Sequence, residues 1–260
     1  MVTWMANLMH ERRPLSIPGL NLPAALHLVV LAPHPDDFDA IGATLRYLHE
    51  NGNRIDLAVA TLSPGGVEDG FGGAVTAAQK AAIREKEQRA SCRHFGLLTD
   101  RLVFLHLAED PDGHPEPCEA NLRRVRTYLG TQRPDLVFMP HGNDSNEGHR
   151  RTFEFFRQSV QEESLSLVVC LNRDPKTIAM RNDLYFEFGP ETAAWKAALL
   201  RMHESQQQRN LSRRGVGFDE RILEVNRKTA AELGLTAKYA EAFEVEIFQS
   251  VPGYTVPAFL

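Results

Sequence analysis

The residues best suited to chemistry lie together in one short segment, PHPDDFD at residues 33–39. His34 and Asp37 are three positions apart across a loop that contains Pro35, so both side chains can turn toward one point. An imidazole and a carboxylate together are suitable ligands for a divalent metal ion, and zinc is the metal that we consider first. Asp36 is adjacent to a candidate ligand but points elsewhere, which leaves it free to act as a general base.

A second segment of the same character, PHGNDSNEGHRRTFEFF, follows a later apolar run and contains His141, Asp144, Glu147 and His149. We expect His149 to lie in the first turns of a helix. Two histidines and one carboxylate with an open fourth position form a catalytic rather than a structural zinc site. A lone HPDD is more often a turn than a metal site, so the second segment is what favours a metal. We assign four further histidines to ordinary positions without a role: His49, His94, His106 and His114.

The elements that must position these segments are visible as apolar runs of strand length. Near-continuous runs, typical of strands covered on both faces, occupy residues 27–32, 55–62, 101–107, 135–140 and 165–171. Segments of helical period alternate with them, and several end at a glycine. This alternation predicts an α/β, Rossmann-like fold with a mostly parallel sheet and helices on both faces. Ligand sites in such folds lie outside the carboxyl ends of the strands, which is where PHPDDFD falls.

The C-terminal part is more elaborate. We predict an edge strand at DLYFEFG, one long helix over ETAAWKAALLRMHESQQQRN, a further helix, and a strand at residues 242–248. No linker divides the chain, so we predict a single domain over residues 1–260, with an N-terminal extension at residues 1–25. The glycines between the second strand and the next helix do not form a nucleotide-binding fingerprint and are predicted to form a flexible loop over the site: Gly65, Gly66, Gly72 and Gly73.

The composition is that of an ordinary globular protein, and the formal net charge of -5 gives no support for a nucleic-acid binder. Three widely spaced cysteines argue for a reducing compartment and against an all-cysteine zinc site. No signal peptide or membrane span is visible in residues 1–22. We therefore expect a cytoplasmic protein that acts on a small molecule. The sequence does not distinguish a monomer from a homo-oligomer.

The sequence resembles the PIG-L/LmbE-like family of zinc-dependent de-N-acetylases. PHPDDFD matches the first family motif, AHPDDE, and GNDSNEGH stands where the second motif belongs. TLSPGG, IREKEQRASCRHFGL, LAED, WKAALLRMHESQ and YAEAF are similar to further family segments and follow the family's order. The resemblance covers about residues 27–245.

The resemblance implies one Zn²⁺ per chain, bound by His34, Asp37 and His149, with Asp36 as the general base. It also implies two contacts to the substrate. Arg84 looks like a family arginine that contacts the sugar, although an arginine on a helix is otherwise a solvated residue. Asp110 looks like a contact to a substrate hydroxyl, with a simple turn before Pro111 as the alternative.

Two departures from the family motifs change the expected site. Phe38 replaces the acid that follows HPDD, and we expect Asp39, one place later, to orient a metal ligand instead. Asn146 replaces the first histidine of the second motif, and Gly148 replaces the acid before the last one. The missing histidine normally helps to stabilise the oxyanion. Asn146 can donate a hydrogen bond but cannot take up an additional proton as a histidine can, so His141 or His203 is expected to substitute for that histidine.

The resemblance implies a metal-dependent hydrolase that removes an N-acetyl or other N-acyl group from an amino sugar or its conjugate. One alternative is a metal-dependent amidase acting on a thiol-precursor conjugate or an antibiotic glycoside, which would use the same catalytic groups. Another is a non-catalytic metal- or sugar-binding protein, which Asn146 and Gly148 favour. A nucleotide-binding Rossmann domain is disfavoured, because its glycine fingerprint is missing.

Overall fold

The computed structural model describes residues 13–251 and 254–258 of the chain. These residues form one mixed sheet with helices packed on it. The strands, in chain order, are β1 (Leu15–Ser16), β2 (His27–Ala32), β3 (Arg54–Val59), β4 (Leu102–Phe104), β5 (Leu136–Pro140), β6 (Leu167–Asn172), β7 (Leu184–Phe188), β8 (Tyr239–Val251) and β9 (Tyr254–Ala258). The helices are α1 (Asp37–Ala40), α2 (Gly42–Glu50), α3 (Ala77–Phe95), α4 (Glu119–Gln132), α5 (Glu147–Glu162), α6 (Pro190–Arg201), α7 (Glu204–Arg214) and α8 (Phe218–Glu232).

The sheet has the strand order β1-β7-β8-β6-β5-β2-β3-β4, and β9 pairs with β8. Strands β2 to β6 run parallel to one another, whereas β8 is antiparallel to its three partners β6, β7 and β9. The predicted α/β fold with a mostly parallel sheet is confirmed. Strands β3 and β4 are added in turn on one side of β2. The chain then returns to the opposite side of β2, where β5 and β6 are added. This reversal opens a crevice at the carboxyl ends of β2 and β5.

The sheet is covered on both faces, as the continuous apolar runs predicted. Leu28 and Val30 of β2 pack into one buried cluster together with Phe38, while Val29 and Leu31 pack into a second cluster with residues of α4 and α5. Alternate side chains of a strand point to opposite faces, so both faces of β2 must be apolar. A strand fixed in this way holds the loop that follows it in a defined position.

The single long helix predicted over residues 191–210 is wrong. Helix α6 ends at Arg201 and α7 begins at Glu204, because His203 adopts a non-helical conformation with φ −87° and ψ 66°. The break lets the His203 ring enter the interior, where its Nε2 lies 2.5 Å from Asp39 Oδ2. Neither glycine nor proline occurs at this break, so the sequence carries no helix-stop signal there.

Part of the predicted N-terminal extension belongs to the sheet. Leu15 and Ser16 form β1, which pairs in parallel with β7, and Ile17 is buried in the core. Strand β7 therefore has β1 as its outer neighbour. Residues 1–12 of the predicted extension lie outside the described residues. Within the described part of the chain, every helix is too short or too polar to cross a membrane.

Candidate active site

A cavity of about 290 Å³ lies outside the carboxyl ends of β2 and β5. The loop after β2 and the first turn of α5 both contribute to it, since the parallel strands deliver their following loops to the same edge of the sheet. Gly65 and Gly66 of the glycine-containing loop also line it, whereas Gly72 and Gly73 do not. The sequence-predicted site residues in its wall are His34, Asp36, Asp37, Arg84, Asn146 and His149.

Three buried side chains in this cavity can hold a metal ion. His34, Asp37 and His149 each offer one ligand atom, and these atoms all lie within 4.8 Å of one another. His34 Nδ1 is 3.4 Å from Asp37 Oδ2, and His149 Nε2 is 3.5 Å from Asp37 Oδ1. Two imidazoles and one carboxylate converging on a point beside a cavity fit a divalent metal such as zinc.

Asp144 orients one of these candidate ligands. Its Oδ2 lies 3.2 Å from His149 Nδ1, so Nε2 is the ring nitrogen that faces Asp37. The Asp144 side chain is fully buried and also accepts a 2.6 Å hydrogen bond from the Asn146 backbone N–H. A carboxylate on the outer nitrogen of a metal-binding histidine fixes the tautomer and raises its basicity.

The surroundings set the charge of each candidate ligand. Burial lowers the pKa of His34 to about 4, which leaves the ring neutral and able to bind a cation at neutral pH. Burial would also lower the pKa of His149, but the charge of Asp37 and hydrogen bonds to Asp144 and Asp37 outweigh it and raise that pKa to about 10, so a metal ion would displace a proton from this ring on binding. The same histidine contacts hold the pKa of Asp37 far below its usual value against the effect of burial. Asp37 is therefore ionised throughout the physiological range.

Asp36 is separated from its neighbour by an unusual backbone conformation. Its φ of +108° is rare for a residue with a side chain, and such strain persists only where other contacts impose it. Here the Asp36 backbone N–H donates to Gln88 Oε1 at 3.0 Å, and Arg84 Nη2 donates to Asp36 Oδ2 at 2.9 Å. Burial raises the pKa of Asp36 to about 7, with Arg84 opposing the shift and Asp37 adding to it. A carboxylate with a pKa near 7 is suited to accept and return a proton.

Helix α3 supplies the contacts that hold this loop. Arg84, Gln88 and Ser91 recur at helical spacing and are all buried, so the inward face of α3 is polar. Arg84 also donates to the Pro35 carbonyl oxygen. Thr76 and Gln79 form a capping box that fixes the start of the helix. Arg84, predicted as a sugar contact, lines the cavity but is primarily bound to the loop that carries Asp36.

The departures in the second motif have a structural reason. Asn146 is the N-cap of α5, and its Oδ1 accepts a 3.1 Å hydrogen bond from the Gly148 N–H. A Cβ atom on Gly148 would lie 2.6 Å from His34 Nε2. The His34 ring thus occupies the space that a side chain at position 148 would need, which requires glycine there.

Asp39 does not take the role that the sequence suggested. It contacts none of the three candidate metal ligands, and instead binds His203 Nε2 and Ser91 Oγ. Among these acids it is Asp144 that contacts the outer ring nitrogen of a candidate ligand, His149. Burial lowers the pKa of His203, but the charge of Asp39 and its hydrogen bond raise it overall. His203 is fully buried and lies behind the Asp36 loop rather than in the cavity wall.

His141 and Asp110 also lie outside the cavity wall. His141 Nε2 is 3.3 Å from Glu244 Oε2, and its Nδ1 accepts a hydrogen bond from the Asn143 N–H, so both ring nitrogens are engaged. This geometry does not support His141 as an oxyanion donor. Asp110 accepts a 2.6 Å hydrogen bond from Arg151 and a 3.0 Å bond from the His114 backbone N–H. Asp110 therefore supports its loop. The neighbouring His114, for which the sequence predicts no role, lines the cavity instead.

The loop after β6 and the C-terminal helices supply a part of the cavity wall that the sequence did not predict. Asp174 lies close enough to Asp144 and His149 to form a second three-residue group with them. Four arginines from α7 and α8 also line the cavity: Arg209, Arg213, Arg214 and Arg221. In the sequence, Gln206, Arg209 and Arg213 recur at the spacing of one helix face. A polar face of this kind predicts a surface exposed to solvent, not the wall of a cavity.

Comparison with known proteins gives one family and a shared fold. Residues 29–160 match the family model described as PIG-L, GlcNAc-PI de-N-acetylase. An N,N'-diacetylchitobiose deacetylase from Pyrococcus horikoshii has 20% sequence identity and a TM-score of 0.69, with 85% of this chain and 84% of that chain covered. A deacetylase of the teicoplanin biosynthesis pathway has 16% identity, a TM-score of 0.63 and coverage of 85% and 98%.

A 4-carboxy-2-hydroxymuconate hydratase from Pseudomonas putida is also similar, with 16% identity, a TM-score of 0.66 and coverage of 85% and 95%. No curated protein sequence matches the chain. The fold thus occurs in proteins described as deacetylases and in one described as a hydratase, and the function must be argued from the site.

Proposed function

The chain belongs to the PIG-L family of GlcNAc-PI de-N-acetylases, and on that premise we propose that it is a zinc-dependent hydrolase that removes an N-acetyl group from an amino sugar or its conjugate. The observation that carries this proposal is that two adjacent carboxylates, Asp36 and Asp37, face different partners beside one cavity. Asp37 faces two buried histidines, while Asp36 is turned by its positive φ toward Arg84 beside the same cavity. Metal-assisted amide hydrolysis uses both a cation site and a separate proton acceptor.

In the proposed reaction His34, Asp37 and His149 hold the metal. When bound, a divalent metal supplies Lewis acidity toward the amide carbonyl and toward a water molecule. Asp36 accepts a proton from the water, whose oxygen forms the new bond to the carbonyl carbon. Protonated Asp36 then returns that proton to the nitrogen as the C–N bond breaks, giving acetate and a free amine. Arg84 keeps the Asp36 carboxylate directed at the cavity through both transfers.

Asn146 is the proposed protein donor to the oxyanion. Its Oδ1 is occupied by the Gly148 N–H, which leaves the amide Nδ2 as a donor in the cavity wall. In the described part of the chain this nitrogen forms no hydrogen bond. Removing one oxyanion donor typically lowers turnover by on the order of 100-fold or more. Asn146→Ala is therefore expected to retain metal and lose activity by about that factor, whereas His141→Ala should remain near wild type.

The test is a panel of N-acetylated amino sugars and glycosides incubated with zinc-loaded protein, with free amine and acetate measured together. We expect equal amounts of both products from at least one substrate. Activity should disappear on chelation and return when zinc is added back. Metal-loaded protein that releases neither product from any member of the panel would contradict the proposal.

A further inference from the structure

The backbone of Asp36 is held by one buried side chain of α3. The Asp36 N–H donates to Gln88 Oε1 at 3.0 Å, and it has no other acceptor among the described residues. Gln88 is fully buried, so bulk water does not reach this contact. A positive φ such as that of Asp36 persists only where surrounding contacts impose it, and the Gln88 hydrogen bond acts directly on this backbone.

The orientation of the Gln88 amide is fixed by its other neighbours. Gln88 Nε2 faces Asp39 Oδ2 at 3.4 Å and Ser91 Oγ at 3.5 Å. A carboxylate only accepts hydrogen bonds, and the Ser91 hydroxyl already donates to Asp39, so both positions require a donor. The reverse orientation would bring Oε1 against the Asp39 carboxylate and Nε2 against the Asp36 N–H. The amide therefore lies with its oxygen toward Asp36.

The group that orients Gln88 is itself anchored in the interior. Asp39 Oδ2 lies 2.5 Å from His203 Nε2, and Asp39, Ser91 and His203 are all fully buried. The preceding residue, Phe38, packs in the apolar core, with its ring centroid 4.9 Å from that of Phe95. Asp39 thus turns toward α3 because Phe38 occupies the core. A connected and buried polar network of this kind is rigid.

The metal-binding half of the same loop is held by other contacts. The His34 backbone N–H donates to Asp37 Oδ2 at 2.8 Å, and neither of these residues forms a hydrogen bond with Gln88 in the described part of the chain. Arg84, one helical turn before Gln88, donates to the Asp36 carboxylate from the same face of α3. Helix α3 therefore holds Asp36 at two points, its backbone and its carboxylate, without holding the metal ligands.

We propose that Gln88 is a positioning residue for the reaction, which fixes the Asp36 backbone so that the general base faces the cavity and not the metal ligands. The inference rests on the proposed function and adds to it a residue that does not line the cavity. The contact depends on Asp39, which stands one place beyond the acid of the family motif. The motif therefore does not assign this role to Gln88.

The variant that tests the inference is Gln88→Met, which removes the amide from a side chain of similar length. We expect kcat of the zinc-loaded protein to fall by about 10-fold or more, because a small misplacement of a catalytic group is costly. KM and zinc affinity should stay within about twofold of wild type, since the metal ligands keep their own contacts. A purely structural role would not separate kcat from these two quantities.

A second measurement needs no activity. In the metal-free protein, amide hydrogen exchange resolved by NMR would compare the Asp36 N–H with the amides of β2. The Asp36 amide should exchange at least about 10-fold faster in Gln88→Met than in wild type, relative to β2, because it has lost its buried acceptor.

The matched control is Asn53→Leu. Asn53 is a buried amide of the same kind, whose Oδ1 accepts from the Leu26 N–H at 3.0 Å and whose Nδ2 donates to the Leu48 carbonyl oxygen at 2.9 Å. It lies at the amino end of β2, opposite the site. Asn53→Leu should lower the melting temperature as Gln88→Met does, but should leave kcat and the relative exchange of the Asp36 amide unchanged.

If Gln88→Met does not fold, Gln88→Ala takes its place, because alanine removes the amide without placing apolar atoms against Asp39. The same selective loss of kcat and the same faster exchange are expected. Three results would overturn the inference: an unchanged kcat, a fall in kcat that Asn53→Leu shares or that zinc loss accompanies in proportion, or an Asp36 amide that exchanges as in wild type.

Failure of the proposed function gives a different pattern. A zinc-loaded wild-type protein that releases no amine from any substrate would contradict the deacetylase, and no general base would then need a position. Faster exchange of the Asp36 amide in the variant would in that case show that Gln88 holds the loop without a role in turnover. An active wild type with unchanged kcat in Gln88→Met would contradict this inference alone.

Discussion

Replacing Gly148 by alanine should weaken metal binding without unfolding the protein. The added Cβ would lie 2.6 Å from His34 Nε2 and 2.9 Å from His34 Cε1. The ring must therefore retreat by about 0.8 Å to reach the 3.4 Å separation at which ordinary contact begins. Metal–ligand distances tolerate only about 0.2 Å of change. A shift of this size removes His34 from the position that it shares with Asp37 and His149.

The expected loss of zinc affinity is about 10- to 100-fold, the range found when support for a metal ligand is disturbed. The fold should tolerate the change, because Gly148 lies within α5 and alanine is favoured over glycine in a helix by about 1 kcal/mol. The assay is competitive zinc titration against a chromogenic chelator, with the melting temperature of the metal-free protein measured alongside.

Gly65→Ala is the matched control. Gly65 also lines the cavity, but an added Cβ there would meet no atom within 4 Å. Its zinc affinity should equal that of the wild-type protein. If Gly148→Ala bound zinc as tightly as Gly65→Ala, the His34 ring would not be the ligand that the structure indicates.

Two further predictions concern buried charges behind the site. The Asp39 carboxylate raises the pKa of His203, so the stability from this pair should be fully present below about pH 6.5 and should decline as the pH rises through the higher folded pKa. The unfolding free energy of metal-free protein should therefore exceed that of His203→Gln at pH 6, and the difference should shrink by pH 9; a constant difference would contradict this reasoning. Lys196 is fully buried and binds Glu241 at 2.6 Å, so Lys196→Met should destabilise the protein by about 3–5 kcal/mol in urea unfolding, because it leaves Glu241 buried without a countercharge. Adding Glu241→Gln should recover part of that loss, and no recovery would show that the pair is not coupled.

The apolar strand runs and the motifs after them allowed the sheet and the core of the candidate site to be predicted. Continuous apolar runs specify strands buried on both faces, and parallel strands bring their following loops to one edge. His34, Asp37 and His149 could therefore be expected near one another although more than 100 residues separate the first from the last.

Other parts of the site depend on contacts that no local pattern encodes. Helix α3 directs Arg84, Gln88 and Ser91 inward, whereas periodicity analysis assumes that the buried face of a helix is apolar. His203 leaves the helical conformation to reach Asp39, a residue 164 positions away. The roles suggested for Asp39 and His141 were set by position in a motif, but the side chains that each one meets depend on the folded chain.

The measurement that tests the account most directly compares Asp36→Asn with Asp37→Ala. Zinc content, melting temperature and release of free amine would be measured on both variants together with the wild-type protein. Asp36→Asn should keep about one zinc per chain and its stability while losing roughly 100-fold or more of turnover, because an amide cannot accept the proton of water. Asp37→Ala should lose zinc and activity together. Equal zinc loss in both variants, or full turnover in Asp36→Asn, would contradict the assignment of one carboxylate to the metal and the other to the proton.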